Sequence, residues 1–252
     1  MNKLSTSIFF IACFILSVVI YLSFFRYNQE KPIDIPKNVP MMMTPTISPT
    51  ITSIPTLEPT PISSQYRIKK HIYATMFWVG EKATEENDYI PNQSSAWDVN
   101  WLDRFGGIDN PYARNGYHPK GFTPKENPFY FALPYNEFNA SGRKASAVSI
   151  PWYIAVGENV SLLKNRWIKV IHKNEICYGQ WEDVGPFEDD DFEYVFGTAS
   201  PKEQRAGIDL SPAMRTCLKM VTNDYVDWQF IEEEDVPAGP WKDIVTQSQT
   251  NW

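Results

Sequence analysis

Two aspartates stand at points where an apolar run meets turn-forming residues: Asp183 in "ICYGQWEDVGPF" (residues 176–187) and Asp209 in "AGIDLSPAM" (residues 206–214). A carboxyl with apolar neighbours has its pKa raised towards working pH and can hold a proton for a leaving oxygen. Acid/base cleavage needs such a donor, with a second carboxylate as base or nucleophile. Glu81 in "MFWVGE" is one candidate partner and Asp98 in "SAWDVNW" another. Simpler roles compete. Asp209 could cap the helix after it or anchor a loop through backbone N–H groups, and its neighbours Ile208 and Leu210 would point away from it on a strand. Asp183, just before Gly185-Pro186, could organise that turn.

Aromatic side chains beside such carboxyls could stack on the apolar faces of a ligand. Trp78, Trp97, Trp101, Tyr135, Trp152 and Trp181 lie among Asp, Asn and Gln, and Trp78, Trp97, Tyr135 and Trp181 are the candidate substrate-binding residues. The competing demand is the core of a β-rich domain, which consumes aromatics. Other chemistries fail on spacing. His71, His118 and His172 are dispersed, no Cys/His metal pattern is present, and neither "EICYG" nor "RTCLK" resembles a nucleophile motif. No phosphate-cradling Gly loop occurs, so no cofactor is expected. The acidic runs 188–193 and 232–235 could hold a hard cation but read more simply as solvated loops, so no metal is assigned. A net charge of −7 without any Lys/Arg cluster argues against a nucleic-acid partner.

The elements that must position these residues are mostly strands. "HIYATMFWV" (71–79) is β-branched and aromatic, "FYFALP" (129–134) is a short apolar run, and "YVDWQFIEE" (225–233) alternates. "RWIKVIHKNEICYGQWEDV" (166–184) alternates on both sides of Lys173-Asn174 and reads as a hairpin. In "SPAMRTCLKMV" (211–221), Ser211 as N-cap and Pro212 at the first turn start a short helix. Residues 80–128 are rich in Asn, Pro and Gly and form a long excursion. Short strands with one helix point to a small, mostly β barrel.

The order "ATMFWVGEK", "FALPYNEF", "EDVGPF", "GIDLSPAM" and "VDWQFI" resembles double-psi β-barrels of the rare lipoprotein A type, distantly related to expansins and family 45 endoglucanases. The resemblance covers most of residues 71–231, with 85–128 and 188–205 as insertions. It implies a six-stranded double-psi β-barrel with a short helix and long loop insertions. It also implies that Asp209, in the "IDLS" position, ends a strand at a groove, where glycan-cleaving members of the family use an aspartate as general acid. The family 45 base lies in "Y-W-D"; here Phe77 and Trp78 match, but Val79 stands in the aspartate's place. The "A-H" common before the "LPFGT" of rare lipoprotein A relatives is replaced by Phe131-Ala132.

The first residues suggest an address. "SIFFIACFILSVVIYLSFF" (7–25) is uncharged, and about 20 apolar residues cross a bilayer as a helix. The run ends in Tyr21, Leu22, Ser23, Phe24 and Phe25, which suits an uncleaved anchor better than a cleaved signal. The Pro/Thr-rich residues 40–64 read as an extended, disordered stalk. The expected order is a cytoplasmic tip (1–6), a transmembrane anchor (7–25), a Pro/Thr-rich linker (26–66) and a folded domain (67–252), with N inside and C outside. Cys177 and Cys217 are a disulfide pair or two buried thiols. The expected function is action on cell-envelope polysaccharide (peptidoglycan or a β-1,4-glucan) by carboxylate acid/base cleavage. The alternatives are a non-catalytic, wall-loosening glycan binder and a structural or protein-binding ectodomain.

Overall fold

The structure, a computed structural model, describes residues 66–252. The expected tip, the apolar run 7–25 and the Pro/Thr-rich stretch lie outside the described residues. Among the described residues no helix is long and apolar enough to cross a membrane.

Six strands close into a barrel: β1 (Lys69–Met76), β2 (Tyr130–Leu133), β3 (Trp167–His172), β4 (Glu175–Val184), β5 (Ile208–Leu210) and β6 (Asp224–Ile231). Around the wall they run β1-β6-β3-β4-β2-β5 and return to β1. The pairs β5/β1 and β2/β4 are parallel, and the other four are antiparallel. The hairpin expected from 166–184 is β3–β4, turning at Lys173-Asn174, and Lys173 takes the left-handed φ of 56° that tight hairpin turns require.

The short helix α3 (Pro212–Cys217) follows β5 directly. Ser211 Oγ accepts from Met214 N at 3.2 Å, and Pro212 occupies the first turn, as the sequence signals require. Two further short helices, α1 (Trp101–Phe105) and α2 (Phe192–Val195), lie in the two insertions. Cys217 of α3 is disulfide-bonded to Cys177 of β4, Cα to Cα 6.0 Å, which resolves the two readings of these cysteines.

Burial alternates along the wall. Ile72 and Ala74 of β1, Phe131 and Leu133 of β2, and Ile208 and Leu210 of β5 join the main core. Tyr130 and Ala132 face the opposite way, into a second cluster with Phe77, Val79, Trp101 and Phe105. The long excursion 80–128 therefore packs against the outside of the β1–β5–β2 wall. Its apolar side chains lie against one part of that wall and leave another part open.

Candidate functional site

Strand register brings the two aspartates together. Asp209 pairs with Thr75 on one side and with Ala132 on the other, and Ala132 pairs with Asp183 across β2/β4. Thr75, Asp209, Ala132 and Asp183 thus form one row across four neighbouring strands. Cα-paired residues share a sheet face, and two strand spacings put the aspartate backbones about 10 Å apart. Between them is only a methyl group, that of Ala132, so the space above it is open. Because Ile208 and Leu210 point into the core, Asp209 points outward, towards the excursion.

A break in β4 makes this possible. Phe131 pairs with Trp181 and Ala132 with Asp183, so β2 advances one residue where β4 advances two. The extra residue is Glu182. Such a bulge re-aims side chains: it leaves Trp181 in the core while placing Asp183 in the row with Asp209.

The row floors a cleft of about 280 Å³, with Trp78 just after β1, Glu81, Asn92 and Tyr112 from the excursion, and Gly185, Pro186 and Phe187 after β4 on its walls. Asp183, Asp209 and Glu81 all line it. Gly185 has φ 151°, a conformation that favours glycine, and a Cβ there would lie 3.9 Å from Asp209 Oδ2. Arg205 covers the outer side of Phe187, its guanidinium 3.8 Å from the ring centre.

Asp209 and Asp183 are each held at one oxygen, and Glu81 has several donors. Thr75 Oγ1 donates to Asp209 Oδ1. Ala96 N and Val184 N donate to Asp183 Oδ1 at 2.7 and 2.8 Å. Asn92 Nδ2 donates to Glu81 Oε2 at 2.8 Å, and the backbones of Glu81 and Asn92 are bonded as well. Asp209 Oδ2 and Asp183 Oδ2 have no protein partner among the described residues, and both belong to side chains that line the cleft.

Burial dominates the protonation of all three. It pushes Asp183 up to about 7, opposed by the two amides and reinforced by the charge of Asp209. Burial likewise raises Glu81 to about 7, reinforced by the Asp209 charge and opposed by bonds from Asn92, the Trp78 backbone and Asn87. Asp209 rises to about 6 through burial, opposed by the Thr75 hydroxyl. Asp183 and Glu81 both feel Asp209, so the three titrate as a set. Near neutral pH that set retains a proton while presenting a carboxylate, the complement that acid/base cleavage needs.

The aromatic candidates divide. Trp78 lines the cleft and is partly exposed. Trp97, Tyr135 and Trp181 do not line it; each is fully buried in the main core. Trp181 packs between Trp97, Phe131 and Phe230 with ring centres 5.9–6.0 Å away, and its indole N–H donates to the carbonyl of Asp183 at 2.7 Å. Tyr135 packs on Phe192 and Phe196 and bonds Ser146 Oγ at 2.8 Å. Filling a barrel of this size takes large rings, and that demand used these three. Trp101 is likewise core, and Trp152 packs on Phe230 away from the cleft. Asp98 is buried, ion-paired with Arg104 at 2.5 Å and bonded to the backbone N of Asn100 at 2.9 Å, and it does not reach the cleft.

Sequence reasoning missed Thr75, Asn92 and Tyr112. Thr75 follows from Asp209 once β1 and β5 are paired, but that parallel pairing has no local signal. No protein-family model, curated protein or solved structure matches this chain.

Proposed function

We propose that this chain acts on cell-envelope polysaccharide, peptidoglycan first, and cleaves glycosidic bonds in the cleft above Ala132. The observation that carries the reading is the placement of three raised-pKa carboxyls, Asp209, Asp183 and Glu81, on one open cleft. One protonated member donates to the leaving oxygen, and an ionised member activates water or stabilises the positive charge developing on the sugar. The family resemblance gives the donor role to Asp209. Burial places more of the proton on Asp183 and Glu81, and because the three are coupled the proton belongs to the set. Trp78 supplies a stacking face at the cleft wall.

A non-catalytic binder would be expected to show a row of exposed aromatics beside a single carboxylate. Three carboxyls with one tryptophan favour cleavage. In this reading the barrel is a double-psi barrel of the rare lipoprotein A type, and its closed six-stranded wall with two parallel pairs supports that assignment. The domain works outside the cytoplasm on a membrane-tethered stalk, N inside and C outside. The Cys177–Cys217 bond, which favours an oxidising compartment, supports that location.

The test is incubation of residues 66–252 with purified peptidoglycan and with β-1,4-glucans, followed by measurement of retained protein and released fragments. Release by wild type and not by Asp209→Asn supports cleavage. Retention without release would replace it with a binding role, and the absence of both retention and release would remove the glycan reading.

A further inference from the structure

A second group of carboxyls lies on the far side of the β4 bulge and plays no part in the cleft. Lys164, just before β3, and Glu182, the bulge residue, are both buried, with side-chain exposures of 1 % and 2 %. Lys164 Nζ stands 2.5 Å from Glu182 Oε2. It also reaches Ser248 Oγ at 3.2 Å and Asn165 Oδ1 at 3.4 Å. Ser248 Oγ in turn donates to Glu126 Oε1 at 2.7 Å, and Glu126 is itself 5 % exposed. Glu182 Oε1 and Glu126 Oε2 are buried with no hydrogen-bond partner among the described residues.

The C-terminal segment closes this pocket. Thr246 exchanges hydrogen bonds with Gln180 at 2.8 and 3.1 Å, and Asn165 Nδ2 donates to Ser248 O at 3.0 Å. Asp98 also faces the group but is engaged by Arg104. The amine therefore meets one carboxyl directly, that of Glu182, and reaches a second, that of Glu126, through the Ser248 hydroxyl. A buried charge pair recovers little of the cost of desolvating it, whereas the neutral forms of the same groups avoid that cost.

We propose that Lys164 and Glu182 condense to an intramolecular isopeptide bond, with Glu126 moving the protons. Transfer of an ammonium proton to the Glu182 carboxylate leaves Lys164 as a free amine facing a neutral carboxyl. The Nζ lone pair attacks Cδ of Glu182, and the Nζ–Cδ bond forms as the carbonyl opens. As the hydroxyl departs, a proton from the nitrogen passes through the Ser248 hydroxyl to Glu126, which returns one to the leaving oxygen. The C–O bond breaks and one water leaves, so amine plus acid becomes amide plus water, with no change of oxidation state and no co-reactant. Burial of Glu182 raises its carboxyl to about 7 despite the neighbouring ammonium, so its protonated form is populated at neutral pH. The bond would tie the segment before β3 to β4 beneath the C-terminal segment.

The test is peptide mass spectrometry of the full chain, purified in detergent, after proteolysis. The expected species joins the peptides bearing Lys164 and Glu182 and weighs one water less than their sum, in most molecules. Lys164→Arg and Glu182→Gln should abolish it, and Glu126→Gln should leave the two peptides separate in a protein that still shows the wild-type circular dichroism. Recovery of only unlinked Lys164 and Glu182 peptides from folded wild type overturns the proposal. A linked species persisting in Glu126→Gln would overturn the role given to Glu126.

Discussion

Replacing Asp183 by asparagine isolates the electrostatics of the cleft from its chemistry. In the folded chain Asp183 holds its proton up to about 7, whereas the unfolded chain releases it near 3.8. The folded state thus binds more protons than the unfolded state across that window, and stability falls as pH rises through it. About 3 units at 1.36 kcal/mol each sets a ceiling of about 4 kcal/mol lost by pH 8. Water entering the open cleft reduces this, so about 2 kcal/mol is the working figure. In Asp183→Asn the amide oxygen still accepts from Ala96 N and Val184 N, and the ionisation is gone. Urea unfolding of residues 66–252 should find variant and wild type equal within about 0.5 kcal/mol at pH 4. At pH 8 the variant should be more stable by about 2 kcal/mol, with unchanged slope. A variant that is destabilised equally at both pH values would refute the placement of Asp183 as a buried carboxyl with a raised pKa.

Other substitutions separate core from cleft. Trp181→Ala should cost about 3–5 kcal/mol by urea unfolding, because it empties the centre of the aromatic core. Trp78→Ala should cost under about 1 kcal/mol while weakening retention on glycan several-fold, since its ring is partly exposed at the cleft wall. Removing the disulfide by Cys177→Ala with Cys217→Ala should lower stability by about 4 kcal/mol, from the chain entropy of the loop it closes. A loss below about 1 kcal/mol would show that the unfolded chain is not constrained by that bond.

Local signals in the sequence were enough to read several elements. The β3–β4 hairpin, the Ser211-Pro212 helix start and the alternation of β6 all follow from neighbours within a few residues, and a mostly β barrel follows from them. The cleft is non-local. Asp209, Asp183 and Glu81 come together through a parallel β1/β5 pairing and through the Glu182 bulge, neither of which leaves a pattern in a single strand. For the same reason "QWED" could not be divided by simple alternation: Trp181 points to the core, Glu182 to Lys164 and Asp183 to the cleft. Aromatic residue types could not say which rings the barrel would consume, so Trp97, Tyr135 and Trp181 looked like sugar platforms until burial placed them inside. The excursion 80–128 looked peripheral, yet it brings Glu81 at its start, and Asn92 and Tyr112 within it, to the cleft wall beside Trp78.

The most direct measurement is the pH dependence of fragment release from peptidoglycan between pH 4 and 9, for wild type and Asp209→Asn. A shared proton among groups raised to about 6 and about 7 predicts a bell-shaped profile with its maximum between those values. Release should fall at least about a hundredfold in Asp209→Asn at every pH, the size of an acid/base contribution. Equal release by the variant, or a wild-type rate that is flat with pH, would contradict a carboxyl-driven cleft.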